Sequence, residues 1–197
     1  MLISPKESAG LTGVVEKAID TEIRVIVLDC NVDTKRITEF IGGDNVLIGK
    51  AAGEYAVSLL GGPGKAAGNV VEIWGGMGTA PAYDRHDGFH ALTDKEPGIK
   101  CLLNNQSGDW KQDKAYNTMQ TALRTNEKID LVHGHNDPMA YGASLAIKDA
   151  GRKDVKFIIG IDGLPDEGVT WVHKGQLTAT FLYATPDAEG CVRRLSF

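Results

Sequence analysis

The sequence lacks the features that define several common protein classes. No apolar run reaches about 18 residues, so the sequence predicts no membrane-spanning helix. It has no lysine and arginine cluster, and its formal net charge of -5 argues against a nucleic-acid partner. The cysteines are few and scattered, at Cys30, Cys101 and Cys191, and their spacing matches neither a zinc site nor a disulfide framework. They are therefore predicted to be unpaired structural thiols.

Catalytic and nucleotide-binding motifs are also missing, although three segments match such motifs in part. The GGPGK segment at 61–65 lacks the first glycine and the Ser/Thr of a phosphate loop, and the glycine turn at 76–78 is followed by proline where a dinucleotide fingerprint has its third glycine. His86 and His90 have the spacing of a zinc-protease helix but no third ligand, so we interpret them as an exposed polar helix face. Without a nucleophile, a poised base or a metal set, the sequence favours binding over catalysis, and we expect no cofactor.

Strand-like and helix-like segments alternate along the chain, which is typical of an α/β protein with parallel sheets. The segment at 23–28 is continuously apolar, and such strands are usually covered on both faces. Residues 1–41 supply only two strands, which would leave apolar sheet edges uncovered. The predicted strands are 2–4, 23–28, 70–74, 99–103, 129–132, 155–159 and 177–182, with a short extended segment at 40–41 and a turn at 160–163. The predicted helices are 8–20, 44–59, one after Thr79, 112–124, 136–149, 166–173 and one from Pro186.

Polar side chains recur where predicted strands end. Asp29, Asn136 and Asp162 stand at such ends, and Arg85 and Trp110 lie just past them. Because ligands of open α/β sheets bind beyond the carboxyl ends of the strands, these residues predict a small-molecule site. Carboxylates, amides and a guanidinium fork suit adjacent hydroxyl groups, and a tryptophan face covers the apolar face of a sugar ring.

Each of these residues also has a plainer explanation. Asn136 is at a position where it would cap a helix, and Asp162 precedes a glycine in a predicted turn. Trp110 would fit a hydrophobic core, and Arg85 would pair with a neighbouring acidic residue on the surface. Their convergence on one rim is what favours the binding interpretation.

The order of motifs resembles the type I periplasmic sugar-binding proteins of ABC transporters, in their ribose- and galactofuranose-binding branch. The similar segments cover almost the whole chain. They are LISPKESAG, IRVIVLD, FIGGDNVLIGKAAGEYA, VVEIWGGMGTAPAYDRHDGF, HNDPMAYGA and IIGIDGLPDEGV. The resemblance implies two Rossmann-like lobes that close on a sugar about a hinge.

The resemblance also implies a role for each candidate residue. Asp29 would bind sugar hydroxyls from the first lobe, and Arg85, Asn136 and Asp162 would bind them from the second. Trp110 matches an aromatic residue that packs on the sugar ring.

The chain departs from the family pattern in several places. Tyr183 stands at a hinge position that often carries a ligand-contacting amide, and Cys30 replaces an arginine that usually follows the first-lobe aspartate. The family's N-terminal strand–helix–strand–helix segment and its last strand and helix are expected to be absent. The resemblance therefore implies a complete second lobe at 43–183 and a partial first lobe at 1–42 with 184–197.

The implied function is capture of a monosaccharide, of the pentose, hexose or inositol class, for an ABC importer. The expected partner is the membrane permease, and the full-length protein is expected to be monomeric. The implied location is periplasmic or cell-envelope, although no signal peptide is evident after Met1. Two alternatives remain open: a sugar-sensing domain of a repressor-like or signalling protein, and a nucleotide-using α/β enzyme.

Overall fold

The computed structural model of the chain describes residues 1–103 and 106–183. Within these ranges the chain forms two separate parallel sheets with helices packed against them. No helix in the described ranges is both long enough and apolar enough to cross a bilayer. In chain order the elements are β1 Leu2–Ile3, α1 Ser8–Asp20, β2 Ile26–Leu28, β3 Glu39–Ile41, α2 Asn45–Leu59, β4 Ala67–Ile73, α3 Ala80–Thr93, β5 Gly98–Leu103, α4 Gln112–Thr125, β6 Leu131–Gly134, α5 Asp137–Asp149, β7 Phe157–Asp162, a π-helical turn Pro165–Val169, α6 Thr170–His173 and β8 Ala179–Leu182.

The larger sheet has the strand order β5-β4-β6-β7-β8, with every neighbouring pair parallel. Successive β4 residues point to opposite faces: Val70 packs with α2 and α3, whereas Val71 packs with α4 and α5. Both faces are therefore covered by helices. This confirms the predicted α/β class and the parallel sheet.

The smaller sheet has the order β1-β2-β3 and is also parallel. The prediction of two strands in this region was wrong, because the extended segment at 40–41 pairs with β2 as a third strand. The strand predicted at 23–28 is also shorter. Ile23 instead closes the turn that follows α1, where its amide donates to the carbonyl of Ala18 and Glu22 has a φ of 63°.

Coverage of β2 also differs from the prediction. Val25 and Val27 are buried against α1, but Ile26 and Leu28 are only half-buried. A single helix can cover only one face of a sheet, so alternate residues differ in burial. In α1 itself Val15 is fully buried, whereas the neighbouring Val14 is 58% exposed.

Two strands of the larger sheet lie further along the chain than predicted. β6 spans Leu131–Gly134 rather than 129–132, and β7 continues to Asp162, so the predicted turn at 160–163 was wrong. The helix predicted from Pro186, the third cysteine Cys191 and the segment 184–197 lie outside the described residues.

The helices α2 and α3 approach each other closely through glycines. A Cβ on Gly49 would stand 2.3 Å from the carbonyl oxygen of Arg85, and a Cβ on Gly88 would stand 2.3 Å from that of Val46. Only glycine permits this contact. The contact holds the Arg85 backbone against α2, and this places its side chain beside the first residues of that helix.

Candidate functional site

A cavity of about 460 Å³ lies at the carboxyl ends of the strands, between the two sheets. In the larger sheet the chain leaves β4 toward one edge and later returns as β6 on the other side, which is the switch point where α/β folds bind ligands. All the predicted site residues line this cavity, so the structure brings them together. Its lining is Ser4, Pro5, Lys6, Asp29, Cys30, Thr79, Pro81, Arg85, Trp110, Asn136, Asp162, Leu164 and Tyr183.

Arg85 is the buried cation of the cavity, with only 4% of its surface exposed. Its Nε donates to Asn45 Oδ1 at 2.8 Å, its Nη1 donates to the main-chain oxygen of His135, and Asp162 Oδ1 lies 3.7 Å from Nη1. The alternative of surface pairing with a neighbouring acid was wrong, since these partners come from α2, the end of β6 and the end of β7. Burial lowers the pKa of Arg85 from its ordinary value, although Asp162 opposes this.

Asp162 is the last residue of β7 and adopts a φ of 134°, which side-chain-bearing residues rarely do. Burial raises the pKa of its carboxyl to about 7, and Arg85 reduces this effect. The 3.7 Å separation is too long for a hydrogen bond, so the attraction does not offset the loss of hydration. The structure thus holds a poorly compensated carboxyl group at the cavity wall.

Asp29 and Tyr183 join the two sides of the cavity. The Tyr183 hydroxyl donates to Asp29 Oδ1 at 2.8 Å and accepts from the amide of Gly43 at 3.3 Å. Burial, together with the Asp29 contact, raises the pKa of Tyr183 to about 12, so the phenol is neutral and remains a donor. Beside it, burial and then Asp29 raise the pKa of the Cys30 thiol to about 11, so this thiol is also neutral.

Trp110 packs against the backbone of Gly75. A Cβ on Gly75 would stand 2.2 Å from the Trp110 ring, so the tryptophan packs directly on the backbone that follows β4. The Arg85 guanidinium stands 5.4 Å from the Trp110 ring centroid and 5.1 Å from that of Tyr183. These distances are within the range of cation–π contact. The two aromatic rings therefore fix the arginine head group.

Asn136 serves as the N-cap of α5, as its alternative interpretation proposed. Its Oδ1 accepts from the Met139 amide at 2.9 Å, and its Nδ2 donates to the Trp110 main-chain oxygen at 3.3 Å. An asparagine amide has four hydrogen-bonding positions, so one donor and one acceptor remain for a ligand in the cavity. Capping and binding are therefore compatible for this residue.

Asn45 and His135 were missed by the sequence interpretation, whereas Asp137 was recognised beside Asn136 as a polar residue at the end of a predicted strand. Asn45 and the carbonyl of His135 hold Arg85, and Asp137 accepts from the Gly163 amide at 2.9 Å directly after Asp162. Burial raises the pKa of Asp137 to about 6. The HND segment marks the end of β6, but the chain alone does not show that these side chains point inward. Contact with Arg85 depends on the packing of α2, β6 and α3.

The cavity therefore combines carboxylates, an amide and a fixed guanidinium with two aromatic rings. Backbone strain is concentrated in it, because Asp29, Trp110 and Asp162 all have positive φ values of 64°, 63° and 134°. Such conformations cost about 1–3 kcal/mol each and occur preferentially at ligand-binding sites. The arrangement suits recognition of a small polyhydroxylated molecule by paired hydrogen bonds.

The model of the periplasmic binding protein domain matches residues 1–190. The chain belongs to this family of periplasmic binding proteins. The predicted family resemblance and the type I fold are therefore confirmed.

Named relatives agree with this assignment. The chain is 36% identical over 174 residues to the galactofuranose-binding protein of Escherichia coli strain K12, covering 84% of this chain and 54% of that protein. It is 35% identical over 190 residues to the ribose import binding protein of the same strain, covering 96% of this chain and 61% of that protein. The chain thus spans 54–61% of the length of these curated relatives.

A solved structure is similar over nearly the whole chain. The fructose-binding periplasmic domain of a hybrid two-component system superposes with a TM-score of 0.91 at 38% identity, covering 99% of this chain and 63% of that one. The larger sheet and its helices therefore follow a fold that is used to bind sugars in other proteins.

Proposed function

We propose that this chain forms the greater part of the solute-binding component of a carbohydrate ABC importer. It captures a monosaccharide of the pentose, hexose or inositol class in the cavity between the two sheets and presents it to a membrane permease. It acts as a binding protein rather than an enzyme, outside the cytoplasmic membrane. The family membership and the named ribose and galactofuranose relatives support this proposal.

The main observation is the composition of the cavity wall. Asp29 faces it from the smaller sheet, and Arg85, Asn136 and Asp162 face it from the larger one. A monosaccharide has several adjacent hydroxyl groups that both donate and accept, and this set of carboxylates, amide and guanidinium matches that pattern. The Trp110 ring supplies an apolar surface for the C–H face of the sugar.

The volume is consistent with such a ligand. A cavity of about 460 Å³ lies within the range of sites that enclose small molecules. The polar groups come from both sheets, so a ligand that contacts both favours the arrangement in which they are close together. Among the described residues, the proposal places one lobe at residues 1–42 and the other at residues 43–183, with Tyr183 at the hinge.

Saturation-transfer NMR on the 197-residue chain with a panel of pentoses, hexoses and inositols tests this proposal. At pH about 8, where Asp162 is ionised in the folded protein, we expect at least one sugar to bind and Asp162→Asn to weaken this binding by about 10-fold or more, since a charged hydrogen-bond partner is lost. Arg36→Ala is the matched control, because Arg36 is exposed and pairs only with Asp20 among the described residues. The proposal fails if no sugar binds, or if Asp162→Asn and Arg36→Ala bind equally well.

A second function is favoured by one specific comparison. The fructose-binding domain with a TM-score of 0.91 belongs to a two-component system, so the same cavity would serve a sensor as well as a transporter. In that case closure would be detected by a signalling domain of the same protein rather than by a permease. Sequencing the gene on both sides of this segment distinguishes the two, because a kinase or DNA-binding domain in the same reading frame would favour sensing.

A further inference from the structure

A second cluster of polar side chains lies behind the cavity, around Glu72 on β4. Glu72 is 2% exposed, and its Oε2 lies 2.8 Å from His86 Nδ1 and 3.3 Å from His90 Nε2. The described residues that line the sugar cavity include none of these three. The interpretation of the two histidines as an exposed helix face was wrong: α3 turns both rings inward, onto the carboxylate.

We propose that Glu72, His86 and His90 form a binding site for a divalent transition-metal ion such as Zn²⁺. Two histidines four residues apart lie on the same face of a helix, and the glutamate of the adjacent strand completes a three-ligand set. Their ligand atoms all lie within 4.8 Å of one another. In a tetrahedral zinc site, bonds of about 2.0–2.1 Å place neighbouring ligand atoms about 3.3 Å apart, so small side-chain rotations suffice.

A second feature independently indicates a metal ligand. His90 Nδ1 lies 2.7 Å from Asp94 Oδ1, one turn further along α3. Metal-binding histidines commonly donate the proton of their other nitrogen to a carboxylate, which fixes the tautomer and leaves the free nitrogen facing the metal. Here the nitrogen so left, Nε2, is the one that faces Glu72. Cys101 Sγ lies 3.8 Å from the same nitrogen and adds a soft donor nearby.

The site is open to solvent on its histidine side. The side chains of His86 and His90 are 27% and 18% exposed, so an ion that arrives from solvent meets the two imidazole rings first and can keep a water as its remaining ligand. Glu72 itself is buried, and its Oε2 also accepts from Trp74 Nε1 at 3.0 Å, which orients this oxygen. The two imidazole ligands suit zinc, copper, nickel and iron rather than calcium or magnesium, which prefer oxygen ligands alone.

The inner side of Glu72 carries a second histidine set that we do not assign to a metal. His135 uses both of its ring nitrogens, accepting from the Gly75 amide at 3.2 Å and contacting Glu72 Oε1 at 3.0 Å. His133 is fully buried and stacks on Phe89 with ring centroids 4.4 Å apart. An ion would have no route to these nitrogens without opening the core, so the outer set is the better site.

The test is a zinc titration of the untagged, chelator-treated chain against a chromophoric competitor. We expect one equivalent of zinc per wild-type chain, and loss of this binding in His86→Ala and in His90→Ala. Asp94→Asn should weaken zinc binding by about 10–100-fold, the usual effect of removing the carboxylate behind a histidine ligand. His173→Ala is the matched control, because His173 is an exposed histidine on a different helix.

X-ray absorption at the zinc edge of the wild-type chain provides a readout that does not depend on any variant. It should show a nitrogen and oxygen shell with the scattering pattern of imidazole. The proposal is overturned if the wild-type chain takes up no stoichiometric zinc, if imidazole scattering is absent, or if His173→Ala loses zinc as strongly as His90→Ala does. A sugar titration is unaffected by any of these results, so the two proposals fail separately.

Discussion

Asp162→Asn should make the protein more stable at neutral pH while weakening ligand binding. The folded protein holds the pKa of this carboxyl at about 7, compared with an ordinary value of 3.8. Between these two values the folded state binds more protons than the unfolded state, so the free energy of unfolding decreases as pH rises from about 4 to about 7. Asparagine cannot ionise, and it therefore removes this penalty.

The size of the effect follows from the pKa difference. Each pKa unit corresponds to about 1.4 kcal/mol, so the rise from 3.8 to about 7 sets an upper limit of about 4 kcal/mol. The side chain is 26% exposed, and solvent screening lowers the expected gain to about 2 kcal/mol at pH about 8. At pH about 4 the side chain is neutral in the folded protein, and the two proteins should be nearly equal in stability.

Urea denaturation from pH about 4 to about 8 measures this difference. Asp166→Asn is the control, because Asp166 is an exposed acid in the turn that follows β7, and its profile should run parallel to that of the wild type. The pKa of Asp137 is also raised, to about 6, so a smaller decrease in the free energy of unfolding with rising pH remains in all three proteins. The reasoning is refuted if Asp162→Asn is less stable than the wild type at pH about 8, or if its profile is parallel to that of the wild type.

Two further substitutions test contacts around the cavity. Gly75→Ala places a Cβ 2.2 Å from the Trp110 ring, so it should lower the free energy of unfolding by about 1–3 kcal/mol and shift the tryptophan fluorescence. Unchanged emission would contradict the direct packing of Trp110 on the Gly75 backbone. Tyr183→Phe removes the hydroxyl that donates to Asp29 at 2.8 Å and should lower the free energy of unfolding in urea by about 1 kcal/mol. Equal stability of Tyr183→Phe and wild type would show that this bond does not help to join the two sheets.

The sequence predicted the alternation of strands and helices and the location of the cavity. Strand ends were informative because polar residues there have no role in a buried sheet, so Asp29, Asn136 and Asp162 could be recognised one at a time. All three line the observed cavity together with Arg85, Trp110 and Tyr183. Their role in sugar binding stays a prediction.

Other features required the packed structure. The periodicity of Ile129–Val132 did not show that β6 extends to Gly134, and this shift turns His133 into a buried residue. Strand boundaries depend on pairing with neighbours, which a single sequence does not specify. The contact of Glu72 with His86 and His90 was missed for a similar reason: the two histidines lie 14 and 18 residues after Glu72 and meet it only when α3 packs on β4.

The anchoring of Arg85 has a consequence for the order of events during capture. Its partners Asn45, His135 and Asp162 all belong to the part of the chain that forms the larger sheet, whereas Asp29 follows β2 of the smaller one. If the sheets separate, the guanidinium keeps its orientation and remains a preorganised first contact for an incoming sugar. Substitutions on the Arg85 side should then act mainly on the association rate, and substitutions at Asp29 mainly on the residence time.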